Sequence, residues 1–529
     1  MKDMDRLVEI LAQKIRKQVH IRIIGDYDVD GVTSSHLFLT ALRRVGAKVD
    51  VVIPHRIQDG YGLSLHLLQQ AKEDGVDTIL TCDNGIAAID EIAWAKAQKM
   101  TVLVTDHHAV PFEEHEGRRT EKKSLADAVV NPHQQDCRYP YKELCGAGVA
   151  WNVIRVLYEN YDMDKREAED LLDFVAMATV CDVMSLTGEN RILVKEGLKR
   201  IRHTKNIGLQ ALMQACNVQP ENISAYHFGY VLGPCVNATG RLDTARHALR
   251  LFETGQETEA EEIARDLVDL NQERKELTLQ GVEMAKKLCE EGGYEKDPIL
   301  VLFLPDVHES IAGLIAGRIR EMYNRPVFVL TRGEEGVKGS GRSTENYSMY
   351  ENMCGCAELF TKFGGHPMAA GLSLPEENVE KFRRKINENC PLTVEEVCPD
   401  IHIDMAMPVG YASTELVHQF ALLEPFGKDN PSPLFADRNL SISRMWLIGK
   451  NRNVLRMSVL SEYGQPVPVI FFGDVETLFA YFTEKFGQEE VENALHGRKN
   501  RILFSMVYTA KIDFYQGNEN LQLEMKYYR

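Results

Sequence analysis

His20-Ile21-Arg22-Ile23-Ile24-Gly25-Asp26-Tyr27-Asp28-Val29-Asp30-Gly31 joins a short β-like run to three alternating carboxylates and a glycine. Two later segments repeat the arrangement. Asp83-Asn84-Gly85 follows closely on Thr78-Ile79-Leu80-Thr81, and Asp106-His107-His108 follows Thr101-Val102-Leu103-Val104-Thr105. Side chains leaving the carboxyl ends of neighbouring parallel strands converge in one crevice, so residues far apart in the chain share a pocket. Carboxylates crowded there without cations repel one another. A pair of divalent metals resolves the repulsion, with Asp and His as ligands and water as the nucleophile. The sequence therefore reads as a metal-dependent hydrolase of phosphate esters.

Outward from these strands, helical stretches at 35–45 and 87–98 and a further strand at 47–53 complete the alternation of an α/β parallel sheet. Gly31 is expected to allow a sharp turn into the following helix. Between Ala147 and Leu251 the periodicity is mostly helical, and Asp182 ends an apolar run from Leu171 to Val180, which would bring one more carboxylate onto the crevice. From Glu257 to Glu291, apolar residues at Ile263, Leu267, Leu270, Leu277, Met284 and Leu288 predict an amphipathic helix linking domains, ended by Gly292-Gly293. A second α/β unit begins at Pro298-Ile299-Leu300-Val301-Leu302-Phe303 and runs to about 392. Short strand signals from about Thr393 onward suit a small β-barrel.

A chain of 529 residues is too long for one core. Hydrophobic content of 44% and charged content of 26% are those of a globular protein. No apolar run reaches the ~18 residues that span a bilayer, and Met1-Lys2-Asp3-Met4-Asp5-Arg6 is not a secretory signal, so a cytoplasmic protein is expected. Eleven scattered cysteines without C-x-x-C spacing read as reduced thiols, Cys354-Gly355-Cys356 included. The net charge of −17 argues against a generic basic surface for nucleic acid. Affinity for a polyanion then rests on a few placed Arg and Lys residues.

Ile23-Ile24-Gly25-Asp26-Tyr27-Asp28-Val29-Asp30-Gly31-Val32-Thr33-Ser34 with Asp106-His107-His108 resembles the DHH phosphoesterase superfamily. Cys145-Gly146-Ala147-Gly148-Val149-Ala150, Asp182-Val183 with Leu186-Thr187-Gly188-Glu189-Asn190-Arg191, Gly364-Gly365-His366-Pro367-Met368-Ala369-Ala370-Gly371 and Leu423-Glu424-Pro425-Phe426-Gly427 narrow the resemblance to the RecJ family of single-strand-specific 5′ to 3′ exonucleases. It implies a DHH-type α/β catalytic domain over 1–255 and a connecting helix over 256–291. A DHH-associated substrate-binding domain over 292–392 and an OB-fold nucleic-acid-binding barrel over 393–529 complete the expectation.

Taken alone, Asp83 reads as a turn residue, His107-His108 as a polar loop, Asp182 as a helix-terminal acid, and each arginine as a solvated charge. The resemblance gives them roles. Asp28 and Asp30 contact different metals, Asp26 completes the cluster, Asp83 bridges both ions, and His107 and Asp182 are the remaining ligands. His108 lies by the scissile phosphate, and Asp106 orients an imidazole. The ions are Mn²⁺ by preference, or Mg²⁺. Arg56, Arg241, Ser340 and Arg342 form a 5′-phosphate pocket, and His366 bonds a phosphate. Trp446, Arg452, Arg456 and Lys511 are candidates for stacking on or steering single strands.

Single-stranded DNA is the implied substrate, in repair and recombination, with a RecQ-type helicase and single-stranded-DNA-binding protein as partners and a monomeric enzyme. The chain departs from the family in the short stretch before its first strand and in Met184-Ser185 after Asp182-Val183. Three rivals remain: a DHH enzyme for short RNA or cyclic dinucleotides, a pyrophosphatase, and a non-catalytic DNA-binding scaffold.

Overall fold

The first sheet is wholly parallel, in the order Lys48–Val52, His20–Ile24, Thr78–Cys82, Thr101–Thr105, Ala128–Val130. Strand Thr78–Cys82 is buried along its whole length, as expected where both faces are covered. On one face Ile21, Ile23, Leu80 and Leu103 meet helices Val29–Arg44, Gly146–Asn160 and Leu172–Cys181. On the other, Ile79, Val102 and Val104 meet Leu67 and Leu68 of helix Leu65–Glu73 and Ile92 of helix Ile89–Ala97. The chain leaves His20–Ile24 toward one edge and returns on its other side at Thr78–Cys82. That reversal opens a crevice at the carboxyl ends of these two strands. Asp26 and Asp83 stand at its two banks.

The computed structural model describes all residues except 57–58, 61, 116–117, 295–296, 334–335, 389, 391, 393–400, 450–451 and 516–517. The barrel boundary expected at 393 lies outside the described residues. The chain divides into two compact units, Met1–Pro399 and Asp400–Arg529. Among the described residues no helix is long and apolar enough to cross a membrane.

Beside the first strand an expectation changes. The helix after the first strand starts at Val29, not near residue 35, because Asp28 caps it: its Oδ1 accepts from the Gly31 amide at 3.0 Å. Gly31 thus lies in the first helical turn instead of making the bend. Its role is close approach, since a Cβ there would come within 2.5 Å of the Asp26 backbone.

Helix Glu257–Glu291 spans 35 residues. Ala260, Ile263, Ala264 and Leu267 enter the core around the first sheet. Val282, Ala285 and Cys289 enter a second core with Ile315 and Ile319 of helix Ala312–Tyr323. Met284, placed on the apolar stripe by spacing, is exposed. Small Gly281 and Ala285 take the inner face there, which lets the two helices approach closely.

The second sheet runs Lys362–His366, Ala369–Leu374, Gly336–Arg342, Val327–Gly333, Leu300–Phe303, with only the last pair parallel. In the second unit, strands Phe435–Ile448, Val454–Leu460, Pro466–Phe471, Asn518–Tyr528 and Leu503–Tyr515 pair in turn. Leu503–Tyr515 pairs again with Phe435–Ile448, closing a five-stranded barrel around Met445, Met457, Val469, Tyr508 and Leu523. Trp446 and Arg456 are cross-strand neighbours on its wall, while Lys511 is held by Glu524.

Leu267 is fully buried on the long helix. Leu267→Ala is expected to lower the unfolding free energy by about 2–5 kcal/mol. Urea titration of the full chain checks this.

Candidate metal centre

Four backbone features bring the acids together. Asp26 follows the first strand by two residues, and Asp83 directly follows the third with a left-handed φ of 62°. His107 leaves the fourth strand after Asp106. Asp182 caps the carboxyl end of helix Leu172–Cys181, whose apolar length carries it to the crevice from the side. Asp30 is aimed by a fifth element. Its Oδ2 accepts from the Gly146 amide at 2.6 Å and its Oδ1 from the Ala147 amide at 2.7 Å, the first two amides of helix Gly146–Asn160. Unsatisfied helix N-terminal amides are natural anion donors. Gly146 must also be side-chain-free, because a Cβ there would sit 2.6 Å from Asp83 Cβ.

The ligand atoms form two triads, each within 4.8 Å: Asp26, Asp28 and Asp83, and Asp30, His107 and Asp182. A third grouping joins Asp83 to His107 and His108. Asp83, a member of the first triad, therefore also lies beside the second, with its Oδ1 3.1 Å from His107 Nε2. His107 Nε2 is also 3.7 Å from Asp30 and 3.6 Å from Asp182.

The electrostatics ask for cations. Burial, then the Asp28 charge, pushes the Asp26 carboxyl well above its usual range. Burial and Asp30 raise Asp28, and burial with Asp30, Asp28 and Asp182 raises Asp83 strongly. Both Asp26 oxygens and His107 Nε2 are buried without a well-formed hydrogen bond among the described residues. Burial keeps His107 below its usual value, hence neutral, the form that binds metals. Carboxylates with one imidazole are the donor set of Mn²⁺ or Mg²⁺.

Asp106 is not in either triad. Its Oδ2 accepts from the Ile86 amide at 2.9 Å, and its Oδ1 from the amides of His107 and His108 and from His108 Nδ1 at 2.8 Å. Burial would raise Asp106, but the His108 hydrogen bond and the two ring charges hold it below its usual value. An ionised carboxylate only accepts, so His108 Nδ1 is the donor. Burial opposes a charge on His108, yet Asp106 carries it up to about 9.

Arg56, Arg241, Ser340 and Arg342 meet in one cleft of about 480 Å³. Tyr27, flanked by Asp26 and Asp28, lines the same cleft, and the Arg56 guanidinium lies 4.8 Å from its ring centroid. Burial and the neighbouring Arg56, Arg274 and Arg342 push Arg241 down to about 10, and burial with Arg56 lowers Arg342. Such crowded cations favour an anion between them. Gly313, in the first turn of helix Ala312–Tyr323, adds helix N-terminal backbone to the same wall.

His366 does not line the cleft. Register places it on the same sheet face, level with Arg342 across Ala369, and exposed beyond the rim. Sequence reasoning missed Lys338 and Lys362, which lie level across Ser373 and line the cleft. It also missed Tyr27 and the Gly146-Ala147 amides. Only strand alternation from Ser340 to Lys338 offered a signal.

Residues 20–179 match the DHH family, N-terminal domain, residues 296–390 the DHHA1 domain, and residues 403–527 the RecJ OB domain. A Bacillus subtilis (strain 168) protein named single-stranded-DNA-specific exonuclease RecJ is 34% identical, over 88% of this chain and 58% of its own length. The protein of that name from Haemophilus influenzae is 32% identical, over 99% of this chain and 90% of its own. The crystal structure of RecJ in complex with Mn²⁺ from Thermus thermophilus is similar with a TM-score of 0.80 at 26% identity, covering 100% of this chain and 72% of that one.

Wild-type chain is expected to bind two Mn²⁺ ions and Asp83→Asn neither, as counted by calorimetry. A carboxyl with a raised folded pKa stabilises the metal-free fold fully below its ordinary value of 3.8 and loses that contribution as pH rises through the folded value. Mn²⁺ competes with the same protons. Its addition should therefore raise Tm more at about pH 8 than at about pH 5.

Proposed function

The chain belongs to the RecJ family of single-stranded-DNA-specific exonucleases, and we propose that it hydrolyses single-stranded DNA from the 5′ end to nucleoside 5′-monophosphates. The observation that supports this best is the continuity of two sites through one tripeptide. Asp26 and Asp28 belong to one of the triads that could hold a metal, while Tyr27 between them lines the arginine cleft. A scissile phosphate at the triads and a terminal phosphate in the cleft would thus belong to one end nucleotide.

Asp26, Asp28 and Asp83 would hold one divalent ion, and Asp30, His107 and Asp182 the other, with Asp83 shared. Such a pair, Mn²⁺ or Mg²⁺, supplies Lewis acidity toward the scissile phosphate and a water nucleophilic at neutral pH. The remaining work falls to the protein. Asp106 fixes the His108 ring, so its imidazolium can donate to a phosphate oxygen as negative charge grows there. Arg241 and Arg342 grip a 5′-phosphate with guanidinium forks, aided by Ser340 and Arg56. Beside them the sheet offers a row without side-chain bulk, Gly371 paired with Gly364, between the lysine row and the row of Arg342 and His366. Backbone of a strand can lie close there.

Polarity follows from the cationic cleft. A terminal phosphate carries more charge than an internal diester, so a cluster of guanidinium groups selects the end that bears it. A single strand must be released from duplex first, which suits a RecQ-type helicase and a single-stranded-DNA-binding protein as partners in repair and recombination. One chain supplies every residue of the centre, which suits a monomer acting in the cytoplasm.

Digestion of 5′-labelled and 3′-labelled single strands with Mn²⁺ tests the direction: label should appear as mononucleotide at once only from the 5′ end. Arg342→Ala should cut kcat/KM for 5′-phosphorylated strands by about 10–100-fold while barely changing that for 5′-hydroxyl strands. His108→Ala should lower kcat by about 10²–10⁴-fold with Mn²⁺ stoichiometry unchanged.

A further inference from the structure

A second cavity, of about 700 Å³, lies beyond the arginine cleft. Its walls are helices Gly233–Leu242, Glu257–Glu291 and Ala312–Tyr323. The two cavities share Arg241, Gly313 and Arg342. Two of these, Arg241 and Arg342, bring a side chain to the boundary between them. Arg241 Nη1 donates to the Ser310 carbonyl at 2.6 Å, and Arg342 Nη1 donates to the Gly341 carbonyl at 2.8 Å. Passage between the cavities would need rotamer changes at both side chains.

The far side has a definite chemistry. Arg274, Lys275 and Arg318 face one acid, Glu321, in a chain whose net charge is −17. Asn271 Oδ1 accepts from Arg274 Nε at 3.1 Å and Nη2 at 2.9 Å, which holds that guanidinium in place. Tyr230, Leu279 and Met322 line the same cavity, with relative exposures of 71%, 65% and 55%. Cations beside an exposed ring and apolar side chains suit a small molecule with one phosphate and one flat base.

We propose that this cavity is the exit site for the nucleoside 5′-monophosphate product, an inference that rests on the exonuclease reading above. Once the end nucleotide is cut, its phosphate lies on Arg241 and Arg342 and its new 3′-hydroxyl faces the metal centre. The shortened strand still fills the approach. Leaving by that approach would force the strand to retreat at every cycle. Passing between the two arginines instead hands the phosphate to Arg274, Lys275 and Arg318, so the dianion is never without a counter-charge. The strand then advances by one nucleotide.

Gly317 gives a clean test, because it lines this cavity only and an added Cβ meets no atom within 4 Å. Gly317→Trp fills the cavity from one wall, and Leu279→Trp fills it from the long helix. Full-length proteins with Mn²⁺ are given 5′-phosphorylated single strands plus an unlabelled trap, and thermal melting checks their folding. The first nucleotide should be released from the strand in a single turnover within about twofold of the wild-type rate, while nucleotides removed per encounter fall by about tenfold. Unchanged run lengths in both folded variants overturn the proposal, as does a first cleavage slowed as much as the later ones. A wild-type control that yields no mononucleotide overturns the exonuclease reading itself, and the proposal with it.

Discussion

Repulsion among the carboxylates of Asp26, Asp28, Asp30, Asp83 and Asp182 is the constraint to which the rest of the catalytic unit answers. Burial amplifies it, since charges that water would screen face each other across a few ångströms. Some protein groups offset it directly. The amides of Gly146 and Ala147 neutralise part of the Asp30 charge. Neutral His107 stands among Asp30, Asp83 and Asp182 and adds no compensating charge. What is left, centred on Asp26 and Asp83, calls for divalent cations. Burial and neighbouring charge push the Asp26 and Asp83 carboxyls upward, the same demand expressed in protons.

The fold holds this arrangement open. The reversal of strand order separates Asp26 from Asp83 by one strand spacing, and the left-handed turn at Asp83 sends its side chain into the gap. Gly146 then allows a helix N-terminus to close against Asp83 without collision. The same logic in opposite sign shapes the neighbouring cleft. There Arg56, Arg241 and Arg342 are crowded and partly desolvated, so they favour an anion as the carboxylates favour a cation. Divalent cations answer the first demand, and an anion such as a terminal phosphate the second.

The long helix is what makes the two halves one site. Its first turns are fixed in the core around the parallel sheet and its last turns in the core of the second sheet. Arg241, from the first half, thereby reaches the Ser310 carbonyl of the second. Its exposed middle also walls the second cavity, through Arg274, Lys275 and Leu279. A rigid connector with small residues at the crossing sets such distances better than a flexible linker could.

Much of the catalytic unit was legible from local pattern alone. Apolar strands followed by Asp26, Asp83 and Asp106-His107 specify a parallel sheet with acids at its carboxyl ends, because strand burial and chain direction are local properties. The extent of the long helix was legible from its spacing, although Met284 fell outside the buried stripe because close helix packing favours Gly281 and Ala285 over a larger side chain. Other features depend on encounters between distant segments. Which amides bond Asp30, why Gly146 lacks a side chain, that Lys338 and Lys362 share a face with Ser340, and that Arg241 and Arg342 divide two cavities are all set by packing between elements. Sequence thus determined the ligand types and the strands that present them; tertiary structure decided which charges face one another, because separation and burial set the strength of an electrostatic interaction and neither is encoded in spacing along the chain.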